Sequence, residues 1–598
     1  MAAVFLPVVF VEGVVGNFLS EFGLTVAGSV LISLFVALTL TPMLAARMPP
    51  PREREHGSIY HRLEQAFAAL ERGYRGALDW SLEHRALTLG IAGLSLLAAL
   101  LFGRGLGKEF FPPADQGLFF ARIETPPGST VDATLEYMKR DEAWMLAQPE
   151  VAGLFTAVGV AGPHRPGRPN EGMLFATLKS REKRERSVQQ LIREARAVLG
   201  SIPGRTIRVF DYSQMAGGGG DAGQFEVELR GNLSLAELER LTNRFISALE
   251  KRGGFVELDK SLKLGLPEVR VIPDREKAAA LGVDARTLAT AIQVMIGGME
   301  VGTFKEGGHR FEIRARLEEQ YRSEPSAIEK LYVRAKNGEV VELRNLVRIE
   351  TGAAPSEITR SHRQRSVTVF GNLEHKPLGT AVRDAFEVAD EILPEGVTLD
   401  LAGQAEAMRE GAQQLTFAML LAALAIYMVL AAQFESFIQP LTVMLALPLA
   451  MVGALGALYV FGMTLNLFSL IGIILLFGLV TKNSILVVDY ANQLRAEGME
   501  KVEAMRKAAP IRMRPVLMTA LSMIFGALPA ALGVGPGAEN RAPMALATVA
   551  GMFSSTGLTL LVVPVFYLAL DDFAELVKRG ARRLLQRPDP SAPLRPRL

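Results

Sequence analysis

The sequence contains no cysteine among its 598 residues. Disulfides, thiolate catalysis and Cys-ligated zinc or iron-sulfur sites are thereby excluded, and the chain is compatible with an oxidising compartment. Charge of one sign is also lacking, since 65 Lys and Arg face 63 Asp and Glu for a net +2. The seven histidines are scattered without metal-ligand spacing and read as surface or core residues. No Lys-Ser/Thr follows the glycine-rich run "MAGGGGDAGQ", so it reads as a flexible joint rather than a phosphate cradle. The opening "MAAVFLPVVFVEGVVG" lacks a basic leader region and carries Glu12, which suits a membrane span, or part of one, better than a signal peptide.

What the chain does have is apolar length. Hydrophobic residues make up 49% of it, and runs near the roughly 20 residues needed to cross a bilayer occur at Ser20 to Ala45, Ala86 to Gly103, Ala412 to Ala432, Pro440 to Phe461, Leu465 to Leu494, Pro515 to Val534 and Pro543 to Leu570. Seven full spans plus the N-terminal piece are predicted. Basic residues crowd "ARMPPPRERE", "RAEGMEKVEAMRKAAPIRMR" and the tail "LVKRGARRLLQR", so the positive-inside rule puts these in the cytoplasm. The polar block from Lys108 to Glu410 then falls outside, in the periplasm of a double-membraned bacterium, with the spans in its inner membrane. Ile59, Leu63, Phe67, Leu70 and Tyr74 recur at helical spacing, predicting an amphipathic helix along the membrane face or a soluble connector helix.

Within the external block, "GLFFARIETP", "TLEYMKRDEAWMLAQ", "VAGLFTAVGV", "GMLFATLKS", "SVQQLIREARAVLGSI" and "RTIRVFDY" read strand, helix, strand, strand, helix, strand. That is the split βαβ order of a ferredoxin-like unit. A second such unit opens at "QFEVELRGN" and closes with "RSVTVFGNL" and "VTLDLAGQ", after an insertion at about Pro267 to Pro355. The expected fold class is a membrane α-helical bundle joined to an external α+β domain. Pro7 to Pro42 repeats the interval of Pro529 to Pro564 with similar surroundings. Transporters are often built from two such copies, and on this register the counterpart of the helix bearing Lys482 would lie before residue 1.

Lys482 stands inside the run "LIGIILLFGLVTKNSILVVDYANQL", about 25 Å from Leu465 at 1.5 Å per residue. A cation near the bilayer centre costs about 3 kcal/mol or more and calls for a carboxylate or a wet pathway. Asp489 is two turns away, too far for direct pairing in a straight helix. Snorkelling toward an interface is the alternative. Arg512 and Thr519 are two turns apart on the next span; Arg512 could equally anchor the inner interface beside Arg514, and Thr519 could bond back to its own helix. Asn483 could hydrogen-bond across a helix interface or simply pack.

The segments "GLVTKNSILVVDYANQLRAEG", "AAPIRMRPVLMTALSMIFGALP", "AAQFESFIQPLTVMLALPLAMVGALGAL" and "EFGLTVAGSVLISLFVALTLTPMLAARM" resemble the C-terminal half of resistance-nodulation-division efflux permeases of the acriflavine-resistance (AcrB-like) type. The resemblance implies a truncated fifth span and the sixth at 1–48, a cytoplasmic amphipathic helix at 49–82, the seventh span at 83–107, porter subdomain PC1 at 108–215, PC2 at 216–266 and 356–408, a docking subdomain at 267–355, spans eight to twelve at 409–571 and a basic tail at 572–598. It implies about eight spans in all, the first truncated.

The same resemblance implies a homotrimer working with a periplasmic adaptor and an outer-membrane channel, exchanging protons for hydrophobic or amphiphilic molecules with no cofactor beyond the proton gradient. It makes Lys482, Arg512, Thr519 and Asn483 a proton relay whose partner acids belong to a missing N-terminal half. It places Phe155, Met173 and Phe175 at the substrate pocket, where ordinary core packing is the competing reading, and Gly159, Gly162 and Gly167 in a switch loop. That loop, "GVAGPHRPGRP", has arginines in place of aromatics. A fragment that assembles without transporting, a lipid or protein exporter, and a heavy-metal exporter using Met295 and Met299 at i, i+4 are the alternatives; anionic lipid suits the basic tail better than nucleic acid.

Overall fold

The computed structural model of the chain describes residues 2–48, 58–162, 165–214, 223–535 and 537–585. The glycine-rich joint at 215–222, the basic run at 49–57 and the tail beyond 585 lie outside the described residues. Among the described residues, seven helices are long and apolar enough to cross a membrane: Val15–Arg47, Arg85–Gly105, Gly403–Phe434, Gln439–Val460, Leu467–Ala496, Lys501–Ala531 and Ala538–Leu576. A helix satisfies its own backbone polar groups, which hydrocarbon cannot do for it. A short helix, Ala2–Phe5, and a 3₁₀ turn, Pro7–Phe10, precede the first span.

Three spans form the centre of the bundle, and small residues set how closely they cross. A Cβ on Gly472 of the Leu467–Ala496 helix would lie 2.5 Å from the Met544 carbonyl oxygen of the last helix, a separation only glycine permits. The N-terminal piece uses the same device, with the Phe5 ring lying over Gly478. At the end of the bundle remote from the sheets, charges clamp the helices together. Arg495 donates to the Tyr567 hydroxyl (2.6 Å) and pairs with Asp571 (3.3 Å), Lys501 pairs with Asp571 (3.6 Å), and Arg85 with Asp572 (3.0 Å). The amphipathic Ser58–Glu83 helix packs here: Tyr74 donates to the Leu560 carbonyl (2.8 Å), Leu78 and Leu82 are buried, and Leu70 is exposed. The two proline repeats differ in shape, because Pro42 follows a helix break at Thr39 whereas Pro564 sits within the continuous Ala538–Leu585 helix.

Two sheet units cap the opposite end. The first comprises β1 (Leu118–Glu124), helix Val131–Leu146, β2 (Val151–Val158), the small hairpin β3 (Val160–Gly162) and β4 (Arg165–Pro166), β5 (Glu171–Leu178), helix Val188–Leu199 and β6 (Thr206–Asp211), in the sheet order β2-β5-β1-β6. Alternation makes the strands two-faced. Phe119, Ala121, Ile123, Leu174, Ala176, Ile207 and Val209 form a core with Met138, Met145, Leu191 and Ala195 of the two helices.

The second unit begins with β7 (Phe225–Gly231), helix Leu235–Arg252 and β8 (Phe255–Lys260). An insertion then runs through β9 (Leu264–Pro273), β10 (Met299–Glu306), β11 (His309–Ala315), β12 (Tyr332–Arg334), β13 (Val340–Glu342) and β14 (Val347–Pro355), leaving and returning on the antiparallel pair β9–β14. The chain returns through β15 (Arg360–Ser361) and β16 (Gln364–Leu373), helix Leu378–Ile392 and β17 (Val397–Leu401), with β16 pairing β7 and β8, and β17 completing the sheet beside β7. Serines 187 and 234 start their helices with capping boxes, each satisfying an otherwise orphaned N–H.

Candidate functional site

Lys482 sits at the middle of its helix, about 22 Å from Leu467 and about 21 Å from Ala496 at 1.5 Å per residue. Its neighbours Thr481, Asn483 and Ser484 are buried in the bundle, but Lys482 itself projects from the bundle surface. Among the described residues it makes no hydrogen bond or ion pair. Asp489 accepts instead from Gln493 Nε2 (2.8 Å), four residues along.

Arg512 lies over the ring of Tyr490, 4.6 Å from its centroid, with its buried Nε unpartnered. Cation–π attraction is the contact it makes. From that crossing, seven residues along the Lys501–Ala531 helix lead to Thr519, and seven back along its antiparallel neighbour from Tyr490 lead to Asn483. Thr519 therefore lies at the depth of Lys482 and Asn483, with Arg512 about 10 Å nearer the clamped end. Thr519 makes the bond to its own helix, Oγ1 to the Val516 carbonyl (3.0 Å). Asn483 does not share the lysine's face: one residue is a 100° turn, and its Nδ2 meets Met552 Sδ of the last helix at 4.0 Å, a packing contact.

In the first sheet unit, the face away from the helices carries one aromatic rung. Register places Phe155 opposite Phe175, Phe175 opposite Phe120 and Phe120 opposite Phe210. The Phe120 and Phe210 rings stack at 4.8 Å and both are buried; Phe175 meets Tyr212 edge-on at 5.8 Å, while Phe155, at the sheet edge, is 60% exposed. Met173, two residues from Phe175, shares this face and pairs across with Ala157 and Arg122. So Phe155, Met173 and Phe175 are brought together and lie on the side opposite the unit's helix-packed core.

Beside this aromatic rung runs a charged one. Arg122 pairs with buried Glu171 (3.4 Å), and Arg208 bonds Asp259 of the second unit, approaches Glu124 (3.5 Å) and stacks over Phe370 at 4.9 Å. The hairpin from Gly159 to Gly167 closes on itself: Gly167 N donates to the Gly159 carbonyl (2.9 Å) and Gly159 N to that of Glu171 (2.8 Å). Gly159 has φ +75°, a left-handed conformation that favours glycine. Gly162 pairs with Arg165 at the hairpin tip. At its base Arg168 binds Ser356 Oγ (3.2 Å) and Glu357 (2.7 Å), just past the insertion.

One expectation is corrected. Met295 lies in a π-helical turn, Gln293–Gly297, and Met299 opens β10 after Gly298 at φ +80°, so the two do not share a helix face. The i, i+4 spacing implies one face only in an unbroken α-helix. Among the described residues, no three His, Asp or Glu side chains gather as a metal site.

Seven apolar helices with a mid-span cation and large sheet units at one end define a multi-pass membrane protein of transporter type. The profile of the AcrB/AcrD/AcrF family matches residues 1–571, and the chain belongs to that family. These are resistance-nodulation-division efflux permeases, transporters rather than enzymes. Multidrug resistance protein MdtC of Citrobacter koseri is 30% identical over 584 residues, which cover 96% of this chain and 55% of that protein; MdtC of Shigella flexneri is 30% identical over 581 residues. Among solved structures, a heavy metal efflux pump matches with a TM-score of 0.81 at 27% identity, over 96% of this chain and 57% of that one. The chain spans about half the length of the curated relatives it matches.

Several residues had no signal in isolation. Tyr490 reads as one more residue near a span end until Arg512 is laid on it. Phe120 and Phe210 join the aromatic rung only through long-range register.

Proposed function

We propose that this chain is the C-terminal half of an inner-membrane, proton-driven antiporter that exports hydrophobic and amphiphilic compounds from the periplasm and the membrane toward an outer-membrane channel. In this reading it works as a trimer with a periplasmic adaptor and needs no cofactor beyond the proton gradient. The two sheet units are ferredoxin-like porter subdomains, the insertion is the docking element, and the N-terminal piece is the end of an eighth span.

The observation that carries the reading is Lys482, at mid-helix on the bundle surface and unpaired among the described residues. A carboxylate pair supplied by the other half would hold this ammonium. Protonation of those acids would release it, so the helix position would depend on their charge state. Arg512 and Thr519 continue the same route between depth and surface, and the aromatic rung with Met173 offers apolar contact to ligands of varied shape.

The test is export of a hydrophobic dye from cells expressing this chain together with its upstream reading frame. Lys482→Ala should abolish export while membrane insertion persists; undiminished export would remove the proton-coupling role. A non-transporting fragment is the competing reading, and an upstream frame without spans and a first porter loop would favour it.

A further inference from the structure

The two arginines of the run "IRMR" reach different rings. Arg514 is exposed and stacks over Phe67 of the amphipathic Ser58–Glu83 helix, 5.5 Å from the ring centroid. Arg512, two residues and about 200° of helix away, lies over Tyr490 of the Leu467–Ala496 helix at 4.6 Å. Between them Met513 is buried, in a core with Val516 and Leu560 against which Leu486 and Tyr74 pack. Leu486 and Tyr490 stand one turn apart on the same helix face, so this packed crossing delivers the ring to the arginine.

This hold differs in kind from the one given to other arginines of the chain. Arg495 meets Asp571 (3.3 Å) and Arg208 meets Asp259 and Glu124, so their N–H edges are occupied by carboxylates of the same polypeptide. A ring instead attracts a guanidinium through its electron-rich face and leaves the donors around the edge unoccupied. Arg512 fits that description: its buried Nε has no hydrogen-bond partner, and among the described residues no carboxylate lies within ion-pair distance of it. Asp489, next to Tyr490 in sequence, accepts from Gln493. The ring fixes the cation in place without neutralising it.

We propose that Tyr490 is a positioning residue of the coupling route: its ring face holds the Arg512 guanidinium at the helix crossing, with the N–H edge presented to a carboxylate from outside this chain. The inference rests on the reading of Arg512 as part of that route, and adds the residue through which Arg512 is oriented. The ring rather than the hydroxyl carries the role, because Tyr490 Oη makes no hydrogen bond among the described residues while the guanidinium lies over the ring.

The experiment varies the electron density of the ring at nearly constant shape. Dye export is measured in cells expressing the chain with its upstream reading frame, carrying Tyr490→Phe or its mono-, di- and trifluorinated phenylalanine analogues at the same position. Tyr490→Phe should export as the wild type does, and successive fluorines should lower export in steps to about tenfold below it, with Tyr490→Leu losing a similar amount. A packing role alone gives equal export across the series; that flat series, or a loss already present in Tyr490→Phe, would overturn the proposal. A second readout needs no transport: phenylglyoxal modification of Arg512 in membranes of the same cells, followed by peptide mass spectrometry. It should be several-fold faster in Tyr490→Leu than in the wild type and unchanged in Tyr490→Phe, and equal rates would count against the ring as the holder. Should Tyr490→Leu fail to insert, the trifluorinated protein takes its place in that comparison. Arg512→Ala separates the two levels: undiminished export in it removes Arg512 from the route and the proposal with it, whereas lost export in it beside a flat fluorine series leaves the route standing and refutes the positioning role.

Discussion

Arg208 in the external units and Lys482 in the bundle are both cations far from any chain end, and the chain treats them differently. Arg208 is 2% exposed and answered from its own polypeptide: Asp259 and Glu124 accept its charge, Phe370 lies under its plane, and Lys263 closes the group by pairing with both acids. The free edge of β6 is answered too, since Val209 N donates to Glu257 Oε1 (3.1 Å) and its carbonyl accepts from Arg196 (2.7 Å) and Asn372 (3.3 Å). Lys482 has no such company among the described residues. Arg208 is thus neutralised by acids of its own chain, whereas Lys482 has no ion-pair partner among the described residues.

The sharpest way to break that contrast is Lys482→Ala. Proton-coupled export should fall to background, a loss of about a hundredfold or more by analogy with removal of an essential charge, while thermal stability of the chain changes by less than about 0.5 kcal/mol because no hydrogen bond or ion pair among the described residues is lost. A large fall in melting temperature would mean that the chain itself supplies a partner. Arg208→Met should show the reverse pattern, losing about 3–5 kcal/mol in denaturant unfolding because Asp259 and Glu124 are left short of a cation. Adding Asp259→Leu should recover part of the loss, and strict additivity would show that the pair is not coupled.

The aromatic rung offers the same contrast within one row. Phe210→Ala, at the buried end, should cost about 3–5 kcal/mol. Phe155→Ala, at the exposed end, should cost under about 1 kcal/mol yet lower export of apolar compounds several-fold in the same dye assay. Equal stability losses at both ends would make the whole row structural.

Much of this was legible from local pattern. The run "GLFFARIETP" reads as a strand before any partner strand is known, and a solitary lysine in an apolar helix announces itself by its cost. What stayed hidden was relational. Nothing near Arg512 in sequence names Tyr490, and the side of the helix on which Asn483 falls depends on where the last helix crosses. The methionine pair misled because spacing carries a face only while the helix continues, and Gly298 ends it. Glu109 follows a span by four residues and reads as an interfacial charge; only the Leu465 backbone, 356 residues on, folds over it, accepting its N–H at 3.1 Å.

Glu109 also gives the smallest and finest test of the contrast, because it lies at the seam between the two parts. Burial raises its carboxyl above the ordinary range, with the Thr464 bond working the other way. The folded protein then holds this proton more tightly than the unfolded chain does. Its contribution to stability is therefore full in acid below the unfolded value and is lost as pH rises through the folded value. Glu109→Gln is neutral throughout and should remove that decline. Thermal melts between about pH 4 and about pH 7 should show variant and wild type converging in acid and separating toward neutrality, the variant being the more stable by about 1.4 kcal/mol for each unit of upward shift. If the two curves run parallel, the carboxyl is as well solvated as one on an open surface.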